Sequence, residues 1–349
     1  MTQMIKERAL NHGTPLVDGE AATFVWLGEH APDLIGDFTD WDNGKPAALT
    51  QAEPGVWTFR LVLPSDAYIE YVFYDQGSRV SDPNNTYLTY NGMGKYNHYF
   101  YMPAGNPTPL VRQPRNVPRG TLKKIELRSN FYFAGGRRAV HLYQPEDGDE
   151  VPLIVVYDGS DYLRRAKLTK VIDALIANGQ ITPVAMAFID NGGSSRGLEY
   201  ACSEATIMMI IQEILPLAQT ELNLLDINQH PGAYGVLGAS MGGLMALYTG
   251  LRLPHIFGKV ISQSGAFSFG DYDTIVFDLV RWGDMRPIKI WMDVGIFDMP
   301  LLLAANRRMK PLLESRGYPV SYREYPAGHN YPAWRDDIWH GLVSLFVAQ

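Results

Sequence analysis

Ser240, Asp298 and His329 are the residues whose types and order along this chain could build an acyl-transfer centre. A serine hydroxyl is a poor nucleophile until a base takes its proton, and the base needs a carboxylate to orient it. Ser240 lies in Gly238-Ala239-Ser240-Met241-Gly242, which fits the G-x-S-x-G pattern of a nucleophile elbow. In such an elbow the serine tops a strained strand-to-helix turn, and the two glycines remove Cβ atoms that would collide there. The pentapeptide alone proves little, since a Gly-rich turn with an ordinary serine reads the same. Its context favours chemistry: an apolar strand from Tyr234 to Leu237 precedes it, and a helix of small and apolar residues from Gly243 to Leu251 follows.

Three histidines follow Ser240. His255 comes just after the elbow helix, and His340 is deep in the last helix. His329, in Ala327-Gly328-His329-Asn330, occupies a loop between the last strand and the last helix, so it is the expected base. Two carboxylates compete for the acid role. Asp293 lies within the strand run Ile288–Val294 and reads as structural. Asp298 lies in the loop beyond that strand's C-terminal end, where open α/β sheets place functional groups, and is the expected acid. One oxyanion donor should be the N–H of Met241, at the start of a helix whose N-terminal amides favour negative charge. The other should come from Tyr157-Asp158-Gly159-Ser160-Asp161, with Ser160 preferred and Gly159 as the alternative. Asp158 reads as a residue that fixes this loop through backbone amides.

These residues need a scaffold. From Leu122 onward, apolar strands alternate with helices, which predicts a mostly parallel sheet covered on both faces. With a serine elbow in its middle, that is an α/β-hydrolase fold. Before it, short apolar runs at Thr23–Leu27, Val56–Leu63, Tyr68–Tyr74 and Tyr96–Met102 are separated by turn signals such as Glu53-Pro54-Gly55 and Asp82-Pro83-Asn84. This spacing predicts an antiparallel β-sandwich. The segment 103–120 carries five prolines and reads as a semi-rigid linker. The expected organisation is a sandwich over 1–103, a linker over 104–120 and a catalytic domain over 121–349.

The totals restrict the function classes. The chain has 349 residues, enough for two domains, and its hydrophobic content of 46% is ample for a core. Net charge is −7 with no Lys/Arg-rich run, so nucleic acid is not an expected partner. Cys202 is the only cysteine, which leaves no intramolecular disulfide and no Cys-based zinc site, and it reads as an inert small residue. No segment is long and apolar enough for a bilayer span, and Met-Thr-Gln-Met-Ile-Lys-Glu-Arg has no apolar signal core, so a soluble, cytoplasmic protein without a membrane partner is expected. A precursor already trimmed of its signal would read the same. Composition leaves the oligomeric state open.

Two resemblances add to this reading. Gly36-Asp37-Phe38-Thr39-Asp40-Trp41, followed by Gly55-Val56-Trp57, resembles the start of the immunoglobulin-like glycogen-binding modules. Trp41 matches one of their sugar-contacting tryptophans. The lysine of the family's Y-K-F pattern is Val72 here, and the tryptophan after its D-G turn is absent near Gly77. Trp41 therefore has three open roles: packing on the sheet, a wall of the catalytic pocket, or a sugar contact. Residues from about 122 to 348 resemble the esterase D superfamily, most closely its enterochelin-esterase-like branch. The matching pieces include Tyr157-Asp158-Gly159, Arg196-Gly197-Leu198-Glu199-Tyr200, Glu213-Ile214-Leu215-Pro216, the elbow, Ser262-Gln263-Ser264-Gly265, Asn306-Arg307-Arg308-Met309, and Gly328-His329-Asn330 with Trp334-Arg335.

The resemblance implies serine hydrolysis of carboxylic esters with no cofactor. Its members cleave trilactone siderophores, feruloyl-sugar esters or small acyl esters. Arg196 and Glu199 match the branch's R-x-x-E, either as a local salt bridge or with the guanidinium facing an anionic or catecholic substrate. Trp334 reads as core or pocket floor. The expected function is a serine carboxylesterase acting on a small-molecule ester, with a siderophore trilactone preferred. A feruloyl or acetyl esterase, a non-catalytic binding protein and an acyltransferase on the same triad are the rivals.

Overall fold

The computed structural model describes every residue except Met1, 113–116, Asn130, Asp147 and Gln349. Residues 113–116 belong to the expected linker and lie outside the described residues. The chain divides into two compact units. The first comprises Met1–Pro107 together with Gly295–Pro300 and Tyr325–Ala333, and the second comprises Thr108–Val294, Leu301–Glu324 and Trp334–Gln349.

The first unit is an antiparallel sandwich. One sheet has Leu16–Asp18 (β1), Ala21–Leu27 (β2), Val56–Val62 (β5) and Thr50–Glu53 (β4), in the order β1-β2-β5-β4. The other has Asp33–Gly36 (β3), Tyr68–Asp75 (β6), Tyr96–Tyr101 (β9) and Leu88–Tyr90 (β8), in the order β3-β6-β9-β8, with Ser78–Val80 (β7) paired to β6. Alternation sends Phe24, Ile69, Tyr71, Phe73 and Phe100 into one core. Phe24 meets Tyr71 and Phe100 edge-on, with ring centroids 4.9 and 5.7 Å apart. Val72, in the position of the modules' lysine, is buried. Two loops distant in sequence, Gly295–Pro300 and Tyr325–Ala333, are part of this unit, which no pattern in the chain announces.

The second unit is built on an eight-stranded sheet. It contains Thr121–Arg128 (β10), Arg137–Gln144 (β11), Leu153–Tyr157 (β12), Ala185–Ile189 (β13), Tyr234–Ala239 (β14), Phe257–Gln263 (β15), Lys289–Gly295 (β18) and Val320–Tyr325 (β19). A short ribbon, Ser268–Phe269 (β16) with Tyr272–Asp273 (β17), stands apart. The order is β10-β11-β13-β12-β14-β15-β18-β19. Pairing is antiparallel from β10 to β13 and parallel from β13 through β12, β14 and β15 to β18. β12, β13 and β14 are buried along their whole length, as strands covered on both faces must be. The chain goes from β12 to β13 on one side and then to β14 on the other. That reversal opens a crevice at the strands' C-terminal ends, where the turns after β12 and β14 carry Asp158 and Ser240.

Two local expectations are modified. The helical stretch between β13 and β14, where the strand–helix alternation predicts one continuous helix, runs Glu204–Met209, then a π turn over Ile210–Ile214, then Leu215–Glu221. Pro216 lacks the amide an α-helix needs, and the ladder widens so that Leu215 N–H donates to Ile210 O. The Pro-rich segment is also fastened at its described ends. Thr108 N–H donates to Asp336 Oδ1 at 2.9 Å, and Gly120 N–H to Asp173 Oδ1 at 3.1 Å.

The last helix, Tyr331–Phe346, packs on β18 through His340, whose ring stacks on Trp339 and lies 6.2 Å from the near-parallel Trp291 ring. Burial, with Arg323 nearby, pushes this imidazole down to about 4. The unfolded chain therefore takes up a proton near pH 6.5 that the folded chain refuses, so His340 costs stability as pH falls from 6.5 towards 4. Asp337, pushed up to about 6 by burial, titrates in the same window with the opposite sign. The informative comparison is therefore between wild type and His340→Gln. Urea denaturation at pH 7 and pH 4.5 should show the wild type losing about 2 to 3 kcal/mol more than the variant.

Candidate active site

The sharp turn at Ser240 is forced by packing. β14 ends at Ala239 and the helix Met241–Arg252 begins at once, leaving Ser240 at φ 58°, ψ −123°. L-residues avoid this conformation at a cost of about 1–3 kcal/mol, and it persists only where neighbours determine it. Here they do. A Cβ on Gly238 would lie 2.3 Å from Gly242 O, and one on Gly242 would lie 3.2 Å from Asp158 Oδ2. Ser240 N–H donates to Gln263 O at 2.8 Å, and Ser240 O accepts from Ala266 N–H at 3.0 Å. The elbow is thereby pinned between β14 and the turn after β15. Met241 is the first residue of its helix, so its N–H belongs to the group without an intrahelical acceptor.

Below the elbow lies a buried polar hub. Gln263 accepts from Tyr162 Oη at 3.0 Å and donates through Nε2 to Asp293 Oδ2 and Trp334 O, each at 3.2 Å. Asp293 also accepts from Trp291 Nε1 at 2.8 Å, and burial, reinforced by Asp337, raises its carboxyl well above the ordinary range. Asp293 is thus a structural residue of the interior. Trp334 is only 4% exposed and spends its indole N–H on Ser264 Oγ at 3.0 Å. Of the two roles its sequence position allows, it is a core residue and not a pocket floor that would touch substrate.

The turn after β12 differs from expectation in its hydrogen bonds. Ser160 N–H donates to Asp190 Oδ1 at 2.8 Å, which removes it as an oxyanion donor. That correction leaves Gly159, the first residue of the helix Gly159–Arg164, as the loop's candidate. Asp158, at φ 54° and with its side chain 1% exposed, fixes the turn through its carboxylate rather than through backbone amides. Arg196 Nε and Nη2 bind its two oxygens at 2.7 Å each, and Asn191 Nδ2 adds a third donor at 2.5 Å. The Arg196 guanidinium also lies 5.3 Å over the Tyr200 ring. The local Arg196–Glu199 pair does not form. Glu199 instead bonds the buried Arg138 of β11 and accepts Gly192 N–H at 2.9 Å. Cys202 has its thiol pushed up to about 12 by burial and is not a second nucleophile.

In the first unit, the loops Gly295–Pro300 and Tyr325–Ala333 bring Asp298 and His329 together. His329 Nδ1 lies 2.9 Å from Asp298 Oδ1, which also accepts Met299 N–H at 2.7 Å. The Asp298 side chain is fully buried, and that of His329 is 20% exposed. A buried carboxylate on Nδ1 fixes the imidazole tautomer, with the proton on Nδ1 and the lone pair on Nε2. Trp41 belongs to this unit too. Its indole N–H donates to Asp37 Oδ1 at 3.0 Å. Asp37, which the sequence reading did not single out, is 4% exposed.

Residues 133–345 match the family model Esterase, described as "Putative esterase". The chain belongs to the Esterase family. It is a carboxylic ester hydrolase on an α/β-hydrolase fold preceded by a β-sandwich. It is 25% identical to the iron(III) enterobactin esterase of Dickeya dadantii (strain 3937), over 96% of this chain and 91% of that one. The crystal structure of the enterobactin esterase from Shigella flexneri in the presence of enterobactin superposes with a TM-score of 0.77 at 22% identity, covering 93% of this chain and 92% of that one. A ferulic acid esterase superposes with a TM-score of 0.56 at 18% identity, covering 66% of this chain and 98% of its own.

The paired geometry of Arg196 generates a prediction for this esterase. Arg196→Ala strands a buried carboxylate and should lower unfolding stability by about 3 kcal/mol in chemical denaturation, with kcat falling as the Gly159 turn loosens. Arg196→Lys should recover only part of this, because an ammonium cannot make two parallel bonds. A rise in KM with unchanged stability would instead mean that the guanidinium faces substrate.

Proposed function

We propose that the protein is a serine esterase whose substrate is a siderophore-type trilactone or its linear pieces. His329 Nε2 takes the proton of Ser240 as the hydroxyl attacks the ester carbonyl, and Asp298 stabilises the imidazolium that forms. The N–H groups of Met241 and Gly159 hold the oxyanion, the alcohol leaves with the proton from His329, and water repeats the sequence to release the acid. The reading rests on one observation above the others: a serine at φ 58° between a buried strand and a helix, in a chain that also pairs a histidine with a buried aspartate at 2.9 Å.

The substrate class rests on the relatives. The enterobactin esterases align with this chain across both units, whereas the ferulic acid esterase accounts for about two thirds of it. Esters of ferulic acid with carbohydrate remain the second reading, favoured by the resemblance of the first unit to glycogen-binding modules. Purified protein should be assayed side by side on a short p-nitrophenyl ester, methyl ferulate, and a catecholate trilactone with and without iron. Trilactone turnover well above the other two is the expected outcome, and a preference for the ferulate would overturn the substrate class. Ser240→Ala should lose turnover by about 10⁴-fold or more with its fold intact, and His329→Ala by a similar factor. Wild-type turnover in Ser240→Ala, or its labelling by a fluorophosphonate, would remove the serine mechanism.

A further inference from the structure

The loops that carry Asp298 and His329 are fastened to the sandwich by specific contacts. Tyr68 N–H of β6 donates to Pro326 O at 3.0 Å. Phe297 packs against the sandwich core. The two loops are also joined to each other: Ile296 N–H donates to Tyr325 O at 2.8 Å and Phe297 N–H to Ala327 O at 3.1 Å. Asp37 stands at the centre of this arrangement. A Cβ on Gly328, the residue before His329, would lie 2.1 Å from Asp37 Oδ1 and 2.2 Å from Asp37 Cγ, and nothing else blocks it more closely. The Asp37 carboxyl therefore rests directly on the backbone of the base loop.

That carboxyl is itself held from two sides. Oδ1 accepts Trp41 Nε1–H at 3.0 Å and Oδ2 accepts Glu70 N–H at 2.8 Å. Beside this hydrogen bond, Asp40 and Trp41 lie in the left-handed region, at φ 56° and 50°. Strain of this kind in two consecutive non-glycine residues persists only under outside constraint.

We infer that Asp37, clamped by Trp41, is a positioning residue that sets the backbone of Gly328 and so the placement of the His329 imidazole. Burial, and repulsion from Glu70 and Asp298, hold the Asp37 carboxyl well above the ordinary range. The sandwich is then a platform for the catalytic loops, and Trp41 works through Asp37 rather than through a sugar. This inference rests on the serine-esterase reading above.

A double-mutant cycle on the full chain tests it, read as kcat and KM on the short p-nitrophenyl ester. Displacing a base by a fraction of an ångström costs on the order of 10- to 100-fold in rate, so Asp37→Ala should lower kcat by that much with KM within about twofold. Gly328→Ala should lower kcat by a similar factor, because its methyl meets the carboxyl. Because an alanine at position 37 would keep a Cβ 2.8 Å from the new methyl, the double variant is Asp37→Gly with Gly328→Ala, in which the methyl enters the vacated space, so the combined loss should be at least about tenfold smaller than the product of the Asp37→Gly and Gly328→Ala losses. Losses that simply multiply, or a wild-type kcat in Asp37→Ala, would overturn the inference. If Asp37→Ala does not fold, Trp41→Phe removes only the indole N–H from the carboxyl. It should lower kcat about 3- to 10-fold at constant KM, and an unchanged kcat would overturn the inference. Ser240→Ala runs in parallel. Its activity reports on the serine reading alone, so a dead Ser240→Ala beside wild-type behaviour at positions 37 and 328 rejects only the positioning role.

Discussion

The left-handed backbone of Ser240 is the constraint around which the second unit is arranged. A strand and a helix can meet at a single residue only if that residue leaves the allowed regions and its neighbours give up their side chains. Gly238 and Gly242 do the latter, at contact distances that admit no methyl group on Gly238. Ser240 N–H, donating to Gln263 O, and Ser240 O, accepting from Ala266 N–H, then tie the elbow to the next strand's turn. The Gln263 side chain in turn bonds Asp293, Tyr162 and the carbonyl of Trp334, all buried. Both ends of the Gln263 amide are occupied, so turning it over would bury unpaired groups, and this holds the hub in one arrangement.

Beside the elbow, the turn after β12 is organised by charge. Asp158 has almost no exposure and three donors, two of them from one guanidinium. Bidentate pairing fixes orientation as well as distance. Asp190 performs a related task one strand away by taking Ser160 N–H, so the donors of this turn are allotted before any substrate arrives. Electrostatic preorganisation of this kind is what lowers barriers for developing oxyanions, since no dipole has to turn during reaction.

The first unit contributes in another way. Its aromatic core gives a firm base, and two loops that leave the central sheet at Gly295 and Tyr325 are counted among its parts. Asp298 and His329 therefore share one unit with the sandwich, and their 2.9 Å contact is made within it. Conservative domain drawing along the chain would assign both loops to the catalytic half. Packing assigns them to the other.

The sequence by itself determined the elbow, the alternation of strands and helices, the sandwich before them, and the order Ser240, Asp298, His329. All of these are written in local patterns: glycine spacing, hydrophobic period and loop position relative to a strand end. Tertiary structure alone decided the partnerships. Glu199 is three residues from Arg196 and yet bonds Arg138, because the buried guanidinium of β11 needs a carboxylate more than the half-exposed Arg196 does. Ser160 looked like a free amide until Asp190 was brought to it across the sheet. Asp37 gave no signal, because its neighbours Glu70 and Gly328 are 33 and 291 positions away along the chain. A hydrogen bond depends on where two chemically suitable groups end up and how much water is left between them. Sequence spacing records that only for neighbours within a turn or two, and burial and folding settle the rest.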